Sequence, residues 1–450
     1  MADAHYHSIR FDASACHGCM ACMRVCPTEA IRVRRGSALM LEDRCIDCGE
    51  CIKVCTKNAV VPLTASPTGL GHFDYMIAVP SPALYTQFDL DVTPGVIHQA
   101  LRNSGFDAAA SLSWSCGAVT HAIDLFLSEY RGPGPLISSF CPSVVRLVQI
   151  KYPELVDQLL PVLSPREVAA REAKRRASAD TGLPLDRIHA VYVTPCPAKL
   201  VSIVDHPGME ASYIDSAVGI SDLFPLLAPV IREAQTSGAT VPETETAAGL
   251  GWAFSISLPS TLPAEDTMSV WGLPNVLRIL DDIDKGRLQR YTFIECHACF
   301  EGCVSGALTV ENPYVARARA LRLQQSLPRR DAVDRADMQA RHERGEFRTT
   351  VPFAVRPPRP LGGDIVTAIT RMQERDRVAA RLPGIDCGAC GSPTCATFAE
   401  DVVTAEAEAD VAQCVVLRKD QLEEQLARLA AAGVPASREQ GDRRPADDRQ

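Results

Sequence analysis

The chain has 450 residues, 46% of them hydrophobic, and a formal net charge of −9. That is room for two or three soluble globular domains, and the acidic balance argues against nucleic acid or an anionic membrane as partner. The 18 cysteines do not suit a disulfide scaffold, because such chains are typically short and exported, and metal thiolates are the natural alternative.

No apolar run approaches the roughly 18 residues that span a bilayer, so no transmembrane segment is expected. Met1 to Phe11 carries charges and histidines where a signal peptide needs an apolar stretch, and the expected location is cytoplasmic. Residues 1–66 hold only short β-like segments, Ile31 to Val33 and Val60 to Leu63. They also hold Cys16-x2-Cys19-x2-Cys22-x3-Cys26-Pro27, repeated as Cys45-x2-Cys48-x2-Cys51-x3-Cys55. This is the spacing of a two-cluster bacterial ferredoxin: x2 intervals let three thiolates reach three irons of one cubane, while the fourth ligand comes from the other motif. The expected sets are Cys16, Cys19, Cys22 with Cys55, and Cys45, Cys48, Cys51 with Cys26. A pair of four-cysteine zinc sites is the alternative. Thr56 stands where the first motif has Pro27 and touches no ligand.

From Asp74 to Ala320 apolar β-rich runs alternate with helical stretches, which predicts an α/β domain on parallel sheets. The runs are Tyr75 to Val79, Leu136 to Ser139, Ala190 to Val193 and Tyr291 to Ile294. Cysteine-bearing loops follow three of them: Ser138-Ser-Phe-Cys-Pro142, Thr194-Pro-Cys-Pro-Ala-Lys199 and Glu295-Cys-His-Ala-Cys-Phe-Glu-Gly-Cys-Val-Ser-Gly306. Ligands of open α/β sheets bind at the carboxyl ends of strands, so the three loops can converge on one site.

These loops resemble the signature segments of [FeFe] hydrogenases, TSCCP, MPCxxK and ExMxCxxGCxxGG. The neighbouring stretches Leu101-Arg-Asn-Ser-Gly-Phe-Asp107 and Val145-Arg-Leu-Val-Gln-Ile-Lys-Tyr-Pro-Glu154 resemble the family's too. The resemblance implies that Cys141, Cys196, Cys299 and Cys303 hold the H-cluster cubane, with Cys303 also bridging to a two-iron subsite that carries CO, cyanide and a dithiolate. It implies that Lys199 hydrogen-bonds one cyanide, a task suited to an ammonium facing an anion, and that Ser81 and Pro82 lie beside the other. Phe140 stands where the family has a proton-relaying cysteine, and a phenyl ring carries no proton. Ser202 stands where it has a glutamate, so the usual proton route is broken. Thr194 and His297 replace two methionines that touch the subsite. His297, with an ordinary pKa near 6.5, is the candidate to take over proton handling, against a purely structural hydrogen-bonding role. Cys116 and Cys296 remain over. Cys116 reads as a small buried hydrophobe, and Cys296, three residues from a cubane ligand, is left open.

Leu327 to His342 is charge-dense and reads as a solvated helix, followed by a stiff Val355-Arg-Pro-Pro-Arg-Pro360 linker. Beyond it Cys387, Cys390 and Cys395, with Cys414 downstream, resemble the small [4Fe-4S] domain of Rnf-type electron-transport subunits and corrinoid iron-sulfur proteins. Gly388 and Gly391 would let amides approach cluster sulfurs. Leu422, Leu426 and Leu429 form a helical stripe, for packing or for a partner, and the tail from Ala436 reads as disordered.

The expected order is therefore a 2[4Fe-4S] ferredoxin domain (1–66), an [FeFe] hydrogenase-like domain of two parallel-sheet α/β lobes (70–325), a charged helix and Pro-rich linker (326–360), a small helical [4Fe-4S] module (361–417), an amphipathic helix (418–435) and the tail (436–450). It resembles the sensory-type, group C and D hydrogenases. The resemblance implies three [4Fe-4S] clusters besides an H-cluster-type cubane with a two-iron subsite, H2 and protons as substrates, and a ferredoxin or another electron carrier as partner. Three functions remain in play. One is slow reversible H2 turnover. The second is H2 or redox sensing with a kinase, phosphatase or PAS protein as signalling partner. The third is an electron carrier or scaffold lacking the two-iron subsite.

Overall fold

The computed structural model describes residues 6–70, 73–237, 245–254, 262–329, 333–405 and 408–431. They fall into two compact units, one of Met1–Ile31 with Gly36–Arg359 and one of Arg32–Arg35 with Pro360–Gln450.

The N-terminal strands are β1 (Ile9–Phe11), β2 (Ile31–Arg34), β3 (Ser37–Met40) and β4 (Val60–Pro62), of which β1 and β4 pair antiparallel. The cysteine repeat is also a backbone repeat. The short helices Ala21–Val25 and Glu50–Val54 each follow a left-handed residue, Met20 or Gly49. Each half then turns through a second one, Glu29 or Asn58. The amides of Ala30 and Ala59 both donate to a cysteine Sγ four residues back, at 3.2 Å.

The central part is built on β5 (Tyr75–Pro80), β6 (Ala108–Ala109), β7 (Leu136–Ile137), β8 (Ile188–Thr194), β9 (Ser216–Gly219), β10 (Thr267–Trp271) and β11 (Phe293–His297). They form two parallel sheets, ordered β6-β5-β8-β9 and β10-β11-β7. Strands β5 and β8 are nearly continuous buried apolar runs, as parallel strands covered on both faces require, and β11 begins as one at Phe293-Ile294 before Glu295 and His297. These are the runs that the sequence exposes; β6 and β9, two and four residues of mostly small side chains, leave no periodicity to read. Between Arg335 and Glu343 the charge-dense stretch is helical but not fully solvated, because Met338 and His342 are buried.

In the second unit, helices Ile365–Arg381, Cys395–Thr404 and Val415–Ala431 surround a small core of Val378, Leu382, Phe398, Ala399 and Cys414. Arg32 and Arg34 are held there by Asp401. Arg32 makes a bidentate pair at 2.5 and 2.8 Å, Arg34 lies at 3.1 Å, and Ser392 Oγ donates to the same carboxylate at 2.6 Å. Gly391 allows the approach: a Cβ on it would stand 1.8 Å from the Val33 carbonyl oxygen. The stripe of Leu422, Leu426 and Leu429 is 55, 63 and 50% exposed rather than packed. The tail beyond Ala431 lies outside the described residues. Among the described residues no helix is long and apolar enough to cross a membrane.

Candidate metal centres

Both central sheets end at one place. Ser81 follows β5, and its amide donates to Val193 of β8 at 3.1 Å, so the loops after these neighbouring strands emerge side by side. In the other sheet Ser138, just past β7, donates its amide to the Ile294 carbonyl, and its hydroxyl oxygen accepts the Cys296 amide of β11. The loops carrying Cys141 and Cys299 thus leave in parallel as well. The sheets are joined by a close backbone contact: Leu308 donates to the Pro195 carbonyl at 2.9 Å, and a Cβ on Gly306 would lie 2.2 Å from that oxygen.

The result brings Cys141, Cys196, Cys299 and Cys303 within electrostatic reach of one another. Burial, and then the neighbouring thiolates, push the Cys196 thiol up to about 11 and Cys299 further. A site that costs so much to ionise is suited to a cation that shares the thiolate charge. Two features favour the anionic form. Cys141 and Cys196 are the N-cap residues of helices Pro142–Lys151 and Pro197–Val204, each with proline in the first turn, so positive helix ends face the thiolates. Backbone hydrogen bonds from Ala298 and Val144 act on Cys141, and one from Lys199 acts on Cys196. The donor set therefore fits a [4Fe-4S] cubane.

Beside the thiols lies an open cavity of about 550 Å³ lined by Ser81, Pro82, Phe140, Lys199, His297 and Cys303 among others. Phe140 does not fill it; its ring packs edge-on against Trp252, centroids 5.1 Å apart. Lys199 Nζ stands 3.2 Å from Cys303 Sγ and 3.5 Å from Tyr192 Oη. Burial alone would lower the lysine pKa, but the Cys303 thiolate, with Tyr192 and Cys196, outweighs it and holds the ammonium above its usual range. His297 Nε2 is 3.0 Å from Glu295 Oε1, yet without the alignment of a hydrogen bond, for that nitrogen has no hydrogen-bond partner. Thr194 is not among the lining residues. Its hydroxyl instead clips the next loop, donating to the Cys196 carbonyl at 2.9 Å and accepting its amide.

Sequence reasoning missed part of the wall: Leu112, Cys116, Ser164, Pro165, Arg166 and Trp252 also line the cavity. Cys116 is 1% exposed, as expected of a small buried hydrophobe, but its position on the wall has no signal in its own neighbourhood. Cys296 is fully buried, forms no part of that wall, and packs in the apolar cluster beside β11.

In the N-terminal region Cys26, Cys45, Cys48 and Cys51 act on one another electrostatically, and Cys22 feels Cys16 and Cys19. Cys55 ends the helix that carries Cys51. The second motif abuts the central loops: Ser8 Oγ donates to the Pro197 carbonyl at 3.0 Å, and a Cβ on Gly49 would meet the Ala307 side chain at 2.5 Å. In the second unit Cys390 is coupled to Cys387 and Cys414, and the Cys395 amide donates to Asp386 at 2.6 Å.

Comparison with known families gives three matches. Residues 74–255 match the iron only hydrogenase large subunit, C-terminal domain, residues 8–56 the 4Fe-4S dicluster domain and residues 382–416 a putative Fe-S cluster domain. Iron hydrogenase 1 of Clostridium pasteurianum is 30% identical over 170 residues, 36% of this chain and 29% of that protein. The NADP-reducing hydrogenase subunit HndD of Solidesulfovibrio fructosivorans is 25% identical over 226 residues, 43% of this chain and 39% of that protein. The chain thus covers well under half the length of either relative. Among solved structures, an apo [FeFe]-hydrogenase HydA1 variant from Chlamydomonas reinhardtii aligns over 63% of this chain and 95% of its own, with 15% identity and a TM-score of 0.49. A HydA structure from stepwise H-cluster assembly gives 15% identity, the same 63% of this chain, 94% of its own and a TM-score of 0.48.

Proposed function

We propose that this chain, a hydrogenase-like iron-sulfur protein with a ferredoxin domain, passes electrons through [4Fe-4S] clusters to a cubane held by Cys141, Cys196, Cys299 and Cys303. The adjoining cavity would take a two-iron subsite for the slow, reversible reaction 2H⁺ + 2e⁻ to H2. The observation that carries this reading is Lys199 Nζ, 3.2 Å from Cys303 Sγ on the wall of a cavity of about 550 Å³. Without an anionic occupant, a part-buried ammonium there has little to do beyond pairing with one thiolate.

When bound, the two-iron subsite would supply the centre at which the H–H bond is made or broken. The chain's own residues position and feed it. Cys303 would anchor it, Lys199 would hold an anionic ligand, and Ser81 and Pro82 would shape the cavity wall. His297, on that wall and beside Glu295, is the residue proposed to hold a proton. Phe140 cannot do so, and for that reason turnover is slow. Cys16, Cys19, Cys22 with Cys55 and Cys45, Cys48, Cys51 with Cys26 would hold the two ferredoxin clusters, and Cys387, Cys390, Cys395 and Cys414 a fourth. A ferredoxin or another electron carrier would be the redox partner.

A second reading is favoured by Phe140 itself, which lines the cavity and packs on Trp252. With so little proton flux the state of the cluster, read by a kinase, phosphatase or PAS protein, would be the output. Maturation with the diiron subsite, then infrared spectroscopy and an H2 assay, tests both. CO and cyanide bands with slow turnover support the enzyme, bands without turnover the sensor, and no bands leave an electron carrier or scaffold. Phe140→Cys should raise turnover by about 10² or more, since a positioned proton donor is worth about 10² to 10⁴ in rate; an unchanged rate sinks the blocked-relay account.

A further inference from the structure

We propose that Arg166 is a second cation of the cavity, facing an anionic ligand of the occupant in partnership with Lys199. The inference rests on the reading above, that the cavity receives a ligand-bearing metal subsite.

The observation is a charge imbalance. Lys199 and Arg166 both line the cavity, and no aspartate or glutamate is among its described lining residues. The two cations share one platform: Arg166 Cζ lies 5.6 Å and Lys199 Nζ 5.9 Å from the centroid of the Tyr192 ring. Arg166 is 8% exposed, and its closest paired carboxylate oxygen, on Glu167, is 3.8 Å away, beyond hydrogen-bond range. Two positive charges held together in a low-dielectric wall repel, and an anion between them is the arrangement that relieves it.

The guanidinium is also built into place. It donates to Ser164 Oγ at 3.3 Å, to the Lys199 carbonyl at 3.0 Å and to Ser202 Oγ at 2.7 Å. These bonds fix the planar fork and use three of its five N–H groups, leaving two for a ligand. Arg166 stands in the first turn of the 17-residue helix Pro165–Thr181, which begins Ser164-Pro165 without a side-chain cap. Ser164 and Pro165 line the cavity as well, so this helix adds a third positive N-terminus to the two that begin at Pro142 and Pro197. Ser202, which cannot relay a proton as a carboxylate would, has the positioning task of holding this arginine.

The test uses the full chain, reconstituted with its clusters and loaded with a diiron subsite carrying CO and cyanide, and reads infrared bands rather than turnover. Arg166→Gln should shift the CO and cyanide bands to lower frequency, because losing the cation leaves more electron density on the irons. Arg166→Lys, which keeps the charge but not the fork, should give a smaller displacement. Identical bands in all three proteins overturn the inference while leaving the proposed function intact. Absence of CO and cyanide bands from the unsubstituted chain overturns the proposed function, and the inference with it. Should Arg166→Gln not fold, unchanged bands in Arg166→Lys are sufficient to overturn it.

Discussion

The ferredoxin region and the central domain gather cysteines by opposite routes. In the first, each motif is a short continuous stretch whose turns are dictated locally: left-handed residues before and after each helix, and an amide donated back to the last cysteine, recur in both halves. In the second, Cys141, Cys196 and the Cys299–Cys303 pair come from three loops on two sheets, and only strand register and backbone packing bring them together. The local site carries its geometry within its own spacing. The assembled site depends on residues remote from any ligand, so distant substitutions should damage one and spare the other.

The largest expected effect breaks the assembled site alone. Gly306→Ala would put a methyl 2.2 Å from the Pro195 carbonyl oxygen, an overlap between two backbones that no rotamer relieves. Iron and sulfide analysis should show the central cubane lost and the ferredoxin clusters kept; full iron content would mean the loops converge without this contact. Next comes the second unit, where Asp401 is 1% exposed and answers both Arg32 and Arg34. Removing it takes away the carboxylate that both arginines share, and Asp401→Ala should cost about 3–5 kcal/mol of that unit's stability in denaturant melts. A loss below about 1 kcal/mol would show that water reaches the arginines.

A smaller effect tests whether buried polar chemistry supports the assembled site through pH. Glu245 is 1% exposed and accepts from Tyr85 Oη at 2.9 Å and Ser113 Oγ at 2.7 Å, with His98 Nε2 at 3.4 Å. Burial would raise its pKa, but the bonds from His98, Ser113 and Ser111 outweigh that and hold the carboxyl below its ordinary range. A depressed folded pKa contributes stability that is present above the unfolded value, about 4.3, and is lost as pH falls through the lower folded one. Glu245→Gln should therefore cost about 1–3 kcal/mol at neutral pH and flatten the acid limb of the stability profile below about pH 4. A variant that keeps the parent's slope there would assign acid sensitivity to other carboxylates.

The same contrast explains what the sequence made legible. The ferredoxin motifs, the cysteine loops and the long strands β5, β8 and β11 could be read, because their signals are spacing and apolar run length, both local. Cys116, Arg166 and Trp252 could not be read as cavity residues, since each is placed there by tertiary packing and nothing near it in the chain marks the role. Thr194 was expected against the subsite because it stands where the family that the chain resembles has a methionine; its hydroxyl bonds to the adjoining backbone turn, as Thr residues commonly do. The pairing of Arg32 and Arg34 with Asp401 was equally hidden, being a contact between residues more than 360 positions apart.

The smallest effect concerns a side chain that lies within reach of both regions. Lys53 lies on the second ferredoxin motif's helix and pairs with Glu50 at 2.7 Å. Burial works against its charge, but the thiolates of Cys299 and Cys48, with Glu50, raise its pKa. One ammonium thus lies within the field of a central cubane ligand and of a ferredoxin ligand. Reduction adds negative charge to a cluster, and a nearby cation favours it. Lys53→Gln should therefore lower the reduction potentials of both the central cubane and the second ferredoxin cluster, with iron content and fold unchanged. Glu50→Gln, which frees the same ammonium from its carboxylate, should raise them. A redox titration followed by electron paramagnetic resonance distinguishes these shifts from the cluster exposed at Cys19, which serves as the internal reference. Potentials that move together at all clusters, or opposite substitutions that move them in one direction, would mean that Lys53 acts on the fold rather than on the charge between the two sites.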